Sequence, residues 1–206
     1  MSFNSREKMK FALNFYFSQK DDNVLNSILI QSNTILFMES TIKLYSLKAV
    51  EIKSYTFALL FVIGNILLPQ LCHLMPSGGM ILLPIYFFTL IAAYKYGFFT
   101  GLLTAVASPL VNHALFGMPG IEMLPIILIK SALLATAAAH MAHRSQQIKL
   151  QNILLVILFY QGIGMIAELA LTGSFMAAMQ DIRLGFPGML LQLFGGFFCL
   201  KAISKY

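Results

Sequence analysis

Long apolar runs alternate along the chain with short breaks marked by Gly, Pro and charge. A membrane-crossing helix needs about 20 mostly apolar residues. Six runs approach that length, at residues 55–73, 80–94, 98–116, 123–143, 153–173 and 186–200. The connections are "MPSGG" (75–79), "KYG" (95–97), "GMPGIE" (117–122), "RSQQIKLQ" (144–151) and "SFMAAMQDIRLG" (174–185), the longest. The pattern predicts an all-α polytopic membrane protein with six transmembrane helices over residues 54–206.

Composition points the same way. Of 206 residues, 58% are hydrophobic and only 11% charged, against about 25% charged in a soluble domain. The chain lacks the polar side chains to cover a water-facing surface. It has no Trp, so an interfacial aromatic belt must come from Tyr. Cys72 and Cys199 lie inside apolar runs and suggest buried thiols, not a disulfide framework or a metal site.

The net charge of +6 matters through its distribution and does not point to nucleic acid. Lys43, Lys48, Lys53, Lys95, Arg144, Lys149, Lys201 and Lys205 fall on one side of the predicted topology. Arg183 falls on the other, with the acids Glu122 and Asp181. The excess of basic residues on the cytoplasmic side therefore predicts that both termini are cytoplasmic. Residues 1–53 are read as a cytoplasmic N-terminal extension. Its first 20 residues lack the long apolar core of a cleavable signal peptide. Residues 1–37 reach no spanning length; they suit an amphipathic helix on the membrane, or precede a native start at Met38.

Polar side chains within a membrane span usually face the protein interior or a cavity. Here they concentrate in the half away from the basic flank. Gln70 and His73 close the first run; Asn112 and His113 close the third. Glu168 lies late in the fifth, and Gln192 in the outer half of the sixth. Asn65, Lys130 and Gln161 lie nearer mid-depth. A proton relay or channel would spread polar groups through the full thickness. A pocket open to one side needs them at one side.

Lys130 is expected to pair with Glu168, as a structural pair or as a ligand-contacting one. Asn112 and Gln192 suit interhelical hydrogen bonding or ligand contact. His113, His73 and Gln70 suit the headgroup region or the ligand. Tyr86, Phe87 and Tyr160 offer rings for stacking. His140 and His143 are spaced i, i+3 without a third ligand, so they read as interfacial and no metal or cofactor is expected. Gly97/Gly101, Ala135/Ala139 and Ala138/Ala142 repeat small-xxx-small spacing, which allows close helix approach. No nucleotide-binding loop, nucleophile elbow or HExxH is present. An enzyme is not expected, and energy for uphill movement must come from another subunit.

The stretch "ILLPIYFFTLIAAYKYGFFTGLLTAVASPLVNHALFGMPG" (81–120) resembles the substrate-binding S components of energy-coupling factor (ECF) transporters. Leu-Pro opening the second span, a Gly-rich connection into the third and an "FGMP" turn carry the resemblance. Six spans with short loops agree with it over residues 54–206. The resemblance implies a bacterial inner-membrane subunit that captures a vitamin or related micronutrient at its extracytoplasmic face. Its partners would be a transmembrane coupling subunit and two cytoplasmic ATPases. The implied pocket lies beneath the connection 75–79, with 117–122 and 174–185 helping to line it. Together with the polar pattern, this selects His73, Tyr86, Asn112, His113, Met118, Glu122, Lys130, Tyr160, Gln161, Glu168, Arg183 and Gln192 as substrate-binding candidates. The family's Ala-xxx-Ala docking pattern fails in the first span, where Val62 follows Ala58. Ala58, Gly64, Ala92 and Ala93 are the docking candidates instead. Lys130 suits a carboxylate or phosphate and Glu168 an amine or hydroxyl. Pantothenate, riboflavin, a cobalamin-type compound and a thiamine precursor all stay open. The competing reading is a non-enzymatic membrane scaffold of the cell-envelope machinery, similar in size to rod-shape proteins.

Overall fold

The structure is a computed structural model that describes residues 47–72, 74 and 77–204. All the described residues fall within one compact unit, residues 42–206. The N-terminal extension up to residue 46, Lys43, His73 and Lys205 lie outside the described residues. Among the described residues every regular element is a helix. Five are long and apolar enough to cross a membrane: α1 (Ile52–Cys72), α4 (Phe98–Phe116), α5 (Leu124–Ser145), α6 (Leu150–Thr172) and α9 (Phe186–Ile203).

Their packing is inverted relative to a water-soluble bundle. Leu59, Leu60, Leu67 and Leu71 on α1 are exposed, as are Leu155, Leu158, Phe159 and Ile166 on α6. Buried instead are Ser54, Asn65, Thr104, Ser108, Asn112, Lys130, Ser131, Gln161 and Glu168. An apolar exterior over a polar interior is stable only where hydrocarbon is the solvent. This makes the chain a multi-pass membrane protein.

The second predicted run is where the structure departs from a six-helix pattern. It is not one continuous helix. A short helix α2 (Gly78–Leu82) stops at Leu83, which takes a left-handed conformation with φ 46° and ψ 47°. A 3-10 turn (Pro84–Tyr86) follows, then α3 (Phe87–Tyr96). The cause is local. Pro84 has no N–H to continue the helix, and its ring disfavours the right-handed helical region for the residue before it. At about 1.5 Å per residue, the 10 residues of α3 reach only half the hydrocarbon thickness. Yet α3 is the centre of the bundle. Every residue from Thr89 to Tyr96 is buried, and α1, α4, α5 and α9 all pack on it.

A helix that starts inside a bilayer exposes unpaired backbone N–H groups. Asn65 on α1 answers part of that need. Its Oδ1 accepts the Phe88 N–H at 3.2 Å. Its Nδ2 donates to Thr89 Oγ1 at 3.1 Å and Ser108 Oγ at 3.0 Å. The carbonyl of Asn65 is itself unclaimed by the helix, because the residue four positions on is Pro69, inside α1. Asn112 Nδ2 donates to that oxygen at 2.9 Å. Two amide side chains, of Asn65 and Asn112, thus join α1, α3 and α4 around the breaks left by Pro69 and Pro84.

Glycines set the close approaches. A Cβ on Gly101 would sit 2.3 Å from the Ala93 Cβ, so α3 and α4 touch backbone to backbone. A Cβ on Gly188 would sit 2.5 Å from the Leu82 carbonyl, so α9 lies directly against the end of α2. The docking candidates take part in this packing. Ala92 and Ala93 are fully buried, Ala58 is buried, and Gly64 abuts the Phe88 ring. All four face the interior of the bundle.

At one end of the bundle, the Leu47 N–H donates to the Tyr96 carbonyl at 3.1 Å. The Tyr94 hydroxyl donates to the Gln147 carbonyl at 2.7 Å. The approach to α1, the end of α3 and the α5–α6 loop therefore meet there, with exposed Lys48, Lys53, Arg144 and Lys149. Lys95, expected on a surface turn, is buried at that end. The opposite end carries α2 and two short helices, α7 (Phe175–Ala178) and α8 (Gln180–Arg183).

Candidate functional site

The site begins with a stripe on α6. Tyr160, Gln161, Gly164 and Glu168 recur at helical spacing and share one buried face. Gly164 is the gap in the stripe. A Cβ there would lie 2.7 Å from Lys130 Cγ and 3.1 Å from Cε, so the Lys130 stem crosses α6 over this glycine. That path carries Nζ to Glu168 Oε2 at 2.5 Å and to Asp181 Oδ2 at 2.8 Å. Lys130 and Glu168 are each 2% exposed, and Asp181 is 21% exposed. Charges taken this far from water need both partners and good geometry. The ammonium supplies them by bridging two carboxylates.

A second group adjoins the ion cluster. The Tyr86 and Tyr160 rings lie with centroids 5.5 Å apart at 48°, within the range of favourable aromatic pairs. The Tyr160 hydroxyl donates to Gln192 Oε1 at 2.9 Å and accepts from Gln161 Nε2 at 3.3 Å. Asp181 lies within electrostatic reach of both tyrosine hydroxyls, and Glu168 within reach of Tyr86. Gln192 sits in a π-helical turn, Leu191–Gly195, that interrupts α9. Such turns are frequent at functional sites. Its Nε2 is buried without a hydrogen-bond partner among the described residues.

The strap from 174 to 185 covers this end. Ser174 Oγ accepts the Ala177 N–H at 3.3 Å and starts α7. Gln180 Nε2 contacts Met80 Sδ at 2.9 Å, tying the strap to α2. Gly185 packs against Leu83, where a Cβ would fall 2.7 Å from Leu83 Cδ1. The break at Leu83 thus supports the strap and presents Tyr86.

The structure brings together six of the sequence candidates: Tyr86, Lys130, Tyr160, Gln161, Glu168 and Gln192. It puts Asn112 in the separate Asn65 network. His113 Nδ1 is 2.7 Å from the Pro119 carbonyl and braces the turn after α4. Met118 and Glu122 are exposed on that turn. Arg183 is exposed and, among the described residues, contacts Met176 Sδ at 3.9 Å. Asp181, Gly164 and Asn65 are functional or supporting residues that sequence reasoning left out of the candidate set. Gly164 carried a legible signal, lying between Gln161 and Glu168 on one helical face. Asp181 carried none beyond being the carboxylate of the longest connection.

Two open grooves lie elsewhere. One of about 320 Å³ is lined by Tyr94, Gly97, His140, His143 and Gln146. Another of about 570 Å³ lies between α5 and α6, along Thr136, His140, Leu155 and Phe159. His140 is about 15 Å of helix away from Lys130 at 1.5 Å per residue. No protein family, curated protein or solved structure matches the chain.

Proposed function

We propose that this protein is the substrate-capture subunit of an ECF-type importer in a bacterial plasma membrane, binding a vitamin-like small molecule at its extracytoplasmic face. The observation that carries the reading is the buried Lys130–Glu168–Asp181 cluster with Tyr86, Tyr160 and Gln192 beside it. The cluster lies at the end of the bundle remote from Lys48, Lys53, Arg144 and Lys149. An ionisable side chain buried in a membrane span is a functional-site candidate by default. On this reading α2, the 3-10 turn and α3 together make a sixth, broken crossing, and both termini are cytoplasmic. Broken helices in membrane proteins are tolerated where protein or a cavity surrounds them, and half-helix ends commonly meet ligands at that depth.

The chain would bind and release its ligand without hydrolysing ATP. A transmembrane coupling subunit and two cytoplasmic ATPases would drive the cycle. The test is a thermal-shift screen of the purified chain in detergent against water-soluble vitamins, their precursors and nucleobases. One compound should stabilise the protein with sub-micromolar affinity, and Glu168→Gln should weaken that shift. A screen with no hit, combined with altered cell shape in a strain lacking the protein, would favour the scaffold reading.

A further inference from the structure

We infer that the ligand of this site is an organic cation with a flat body and at least one hydrogen-bond acceptor; the inference rests on the capture reading. Lys130 is one positive charge between two carboxylates, so the cluster carries one excess negative charge. Among the described residues no other Lys or Arg forms a salt bridge with Glu168 or Asp181. Arg183, two positions along, is exposed and turned to Met176. With Lys130 and Glu168 each 2% exposed, an unbalanced charge on this cluster is unfavourable until a counter-charge joins it. A cation entering the cluster restores neutrality. An anion would add to the excess negative charge, since the single ammonium already faces two carboxylates.

The neighbouring groups extend the specification. The buried Tyr86 and Tyr160 rings pack on each other beside the cluster, and aromatic faces attract cations most strongly where water is excluded. Gln192 is fully buried, and its Oε1 is taken by Tyr160 while its Nε2 has no partner. A buried donor is rarely left unpaired. A carbonyl, hydroxyl or ring-nitrogen acceptor on the ligand would satisfy it. The three requirements sit on different elements: the carboxylates on α6 and α8, the rings on the 3-10 turn and α6, and the amide on α9.

The experiment compares three probes of one shape: 4-hydroxybenzamidinium, 4-hydroxybenzamide and 4-hydroxybenzoate. Binding to the full chain in detergent is measured by calorimetry at constant ionic strength. The amidinium is expected to bind at least tenfold more tightly than the amide, with no detectable binding of the benzoate. Asp181→Asn should erase the tenfold preference, and Glu168→Gln provides the same reading if that variant does not fold. Gln192→Leu should weaken the amidinium and the amide alike and leave their order intact. Equal binding of amide and amidinium would overturn the inference, since the excess charge would then be held by a proton. Saturation by sodium or potassium chloride alone, or a preference for the benzoate, would also overturn it while leaving capture intact. Failure of every probe and of every compound in the vitamin screen would overturn both.

Discussion

The side-chain amide of Asn112 donates at 2.9 Å to the carbonyl oxygen of Asn65, the oxygen that Pro69 leaves without its helical partner. This pair explains how a proline is accommodated inside a membrane helix. It also yields a double-mutant test. Asn112→Ala should destabilise the protein by about 1 kcal/mol, the scale of interhelical hydrogen bonds in membranes. Pro69→Ala returns an N–H to the Asn65 carbonyl, so Asn112→Ala should cost less in that background. Unfolding in mixed detergent micelles measures both, and full additivity would mean that the two residues are not coupled.

Asn65→Leu should be the more damaging change. It strips partners from the Phe88 N–H, Thr89 and Ser108 together. Leaving a buried donor or acceptor unpaired costs about 1–3 kcal/mol for each group. The melting temperature should fall further than for Asn112→Ala, and hydrogen exchange at the start of α3 should speed up.

The ion cluster should respond asymmetrically. Lys130→Met leaves the buried Glu168 and the part-exposed Asp181 without their cation and should destabilise by about 3–5 kcal/mol, as for a broken buried pair. The triple change Lys130→Met, Glu168→Leu, Asp181→Leu removes every charge and should recover most of that loss. It should still fail in ligand binding. Recovery of binding along with stability would show that the cluster is only structural.

Gly164 should tolerate no side chain without moving Lys130. A methyl group would meet Lys130 Cγ at 2.7 Å, and overpacking of this kind costs about 1–3 kcal/mol. Gly164→Ala is expected to lower ligand affinity at least tenfold, since Nζ can no longer reach both carboxylates. Gly162→Ala, with open space around it, is the control and should bind as the parent does.

Orientation can be read by labelling. In a background without Cys72 and Cys199, a thiol at Arg183→Cys should react with an impermeant reagent on intact cells. A thiol at Gln147→Cys should react only after permeabilisation. The reverse pattern would invert the topology.

Residence in the membrane was legible in the sequence because hydropathy is a local, additive property of each run. The long helices, the charge asymmetry and the expected Lys130–Glu168 pair followed from length, period and depth. Run 80–94 misled for a related reason. Its composition suits a helix, but the backbone of Leu83 answers to Pro84, and only the surrounding bundle stabilises a helix as short as α3. The hub role of Asn65 was equally invisible, because it depends on a proline four residues later and on partners 24 and 43 positions away.

The sequence by itself determined that this chain is apolar outside, polar inside and basic at one flank, since these follow from which residues are present and at what spacing. Tertiary structure alone decided that Asp181 joins Lys130 across 51 positions, and that Gly164 clears the path between them. A buried charge takes whichever partner the packing of helices brings within hydrogen-bond reach, and no spacing along the chain encodes that distance.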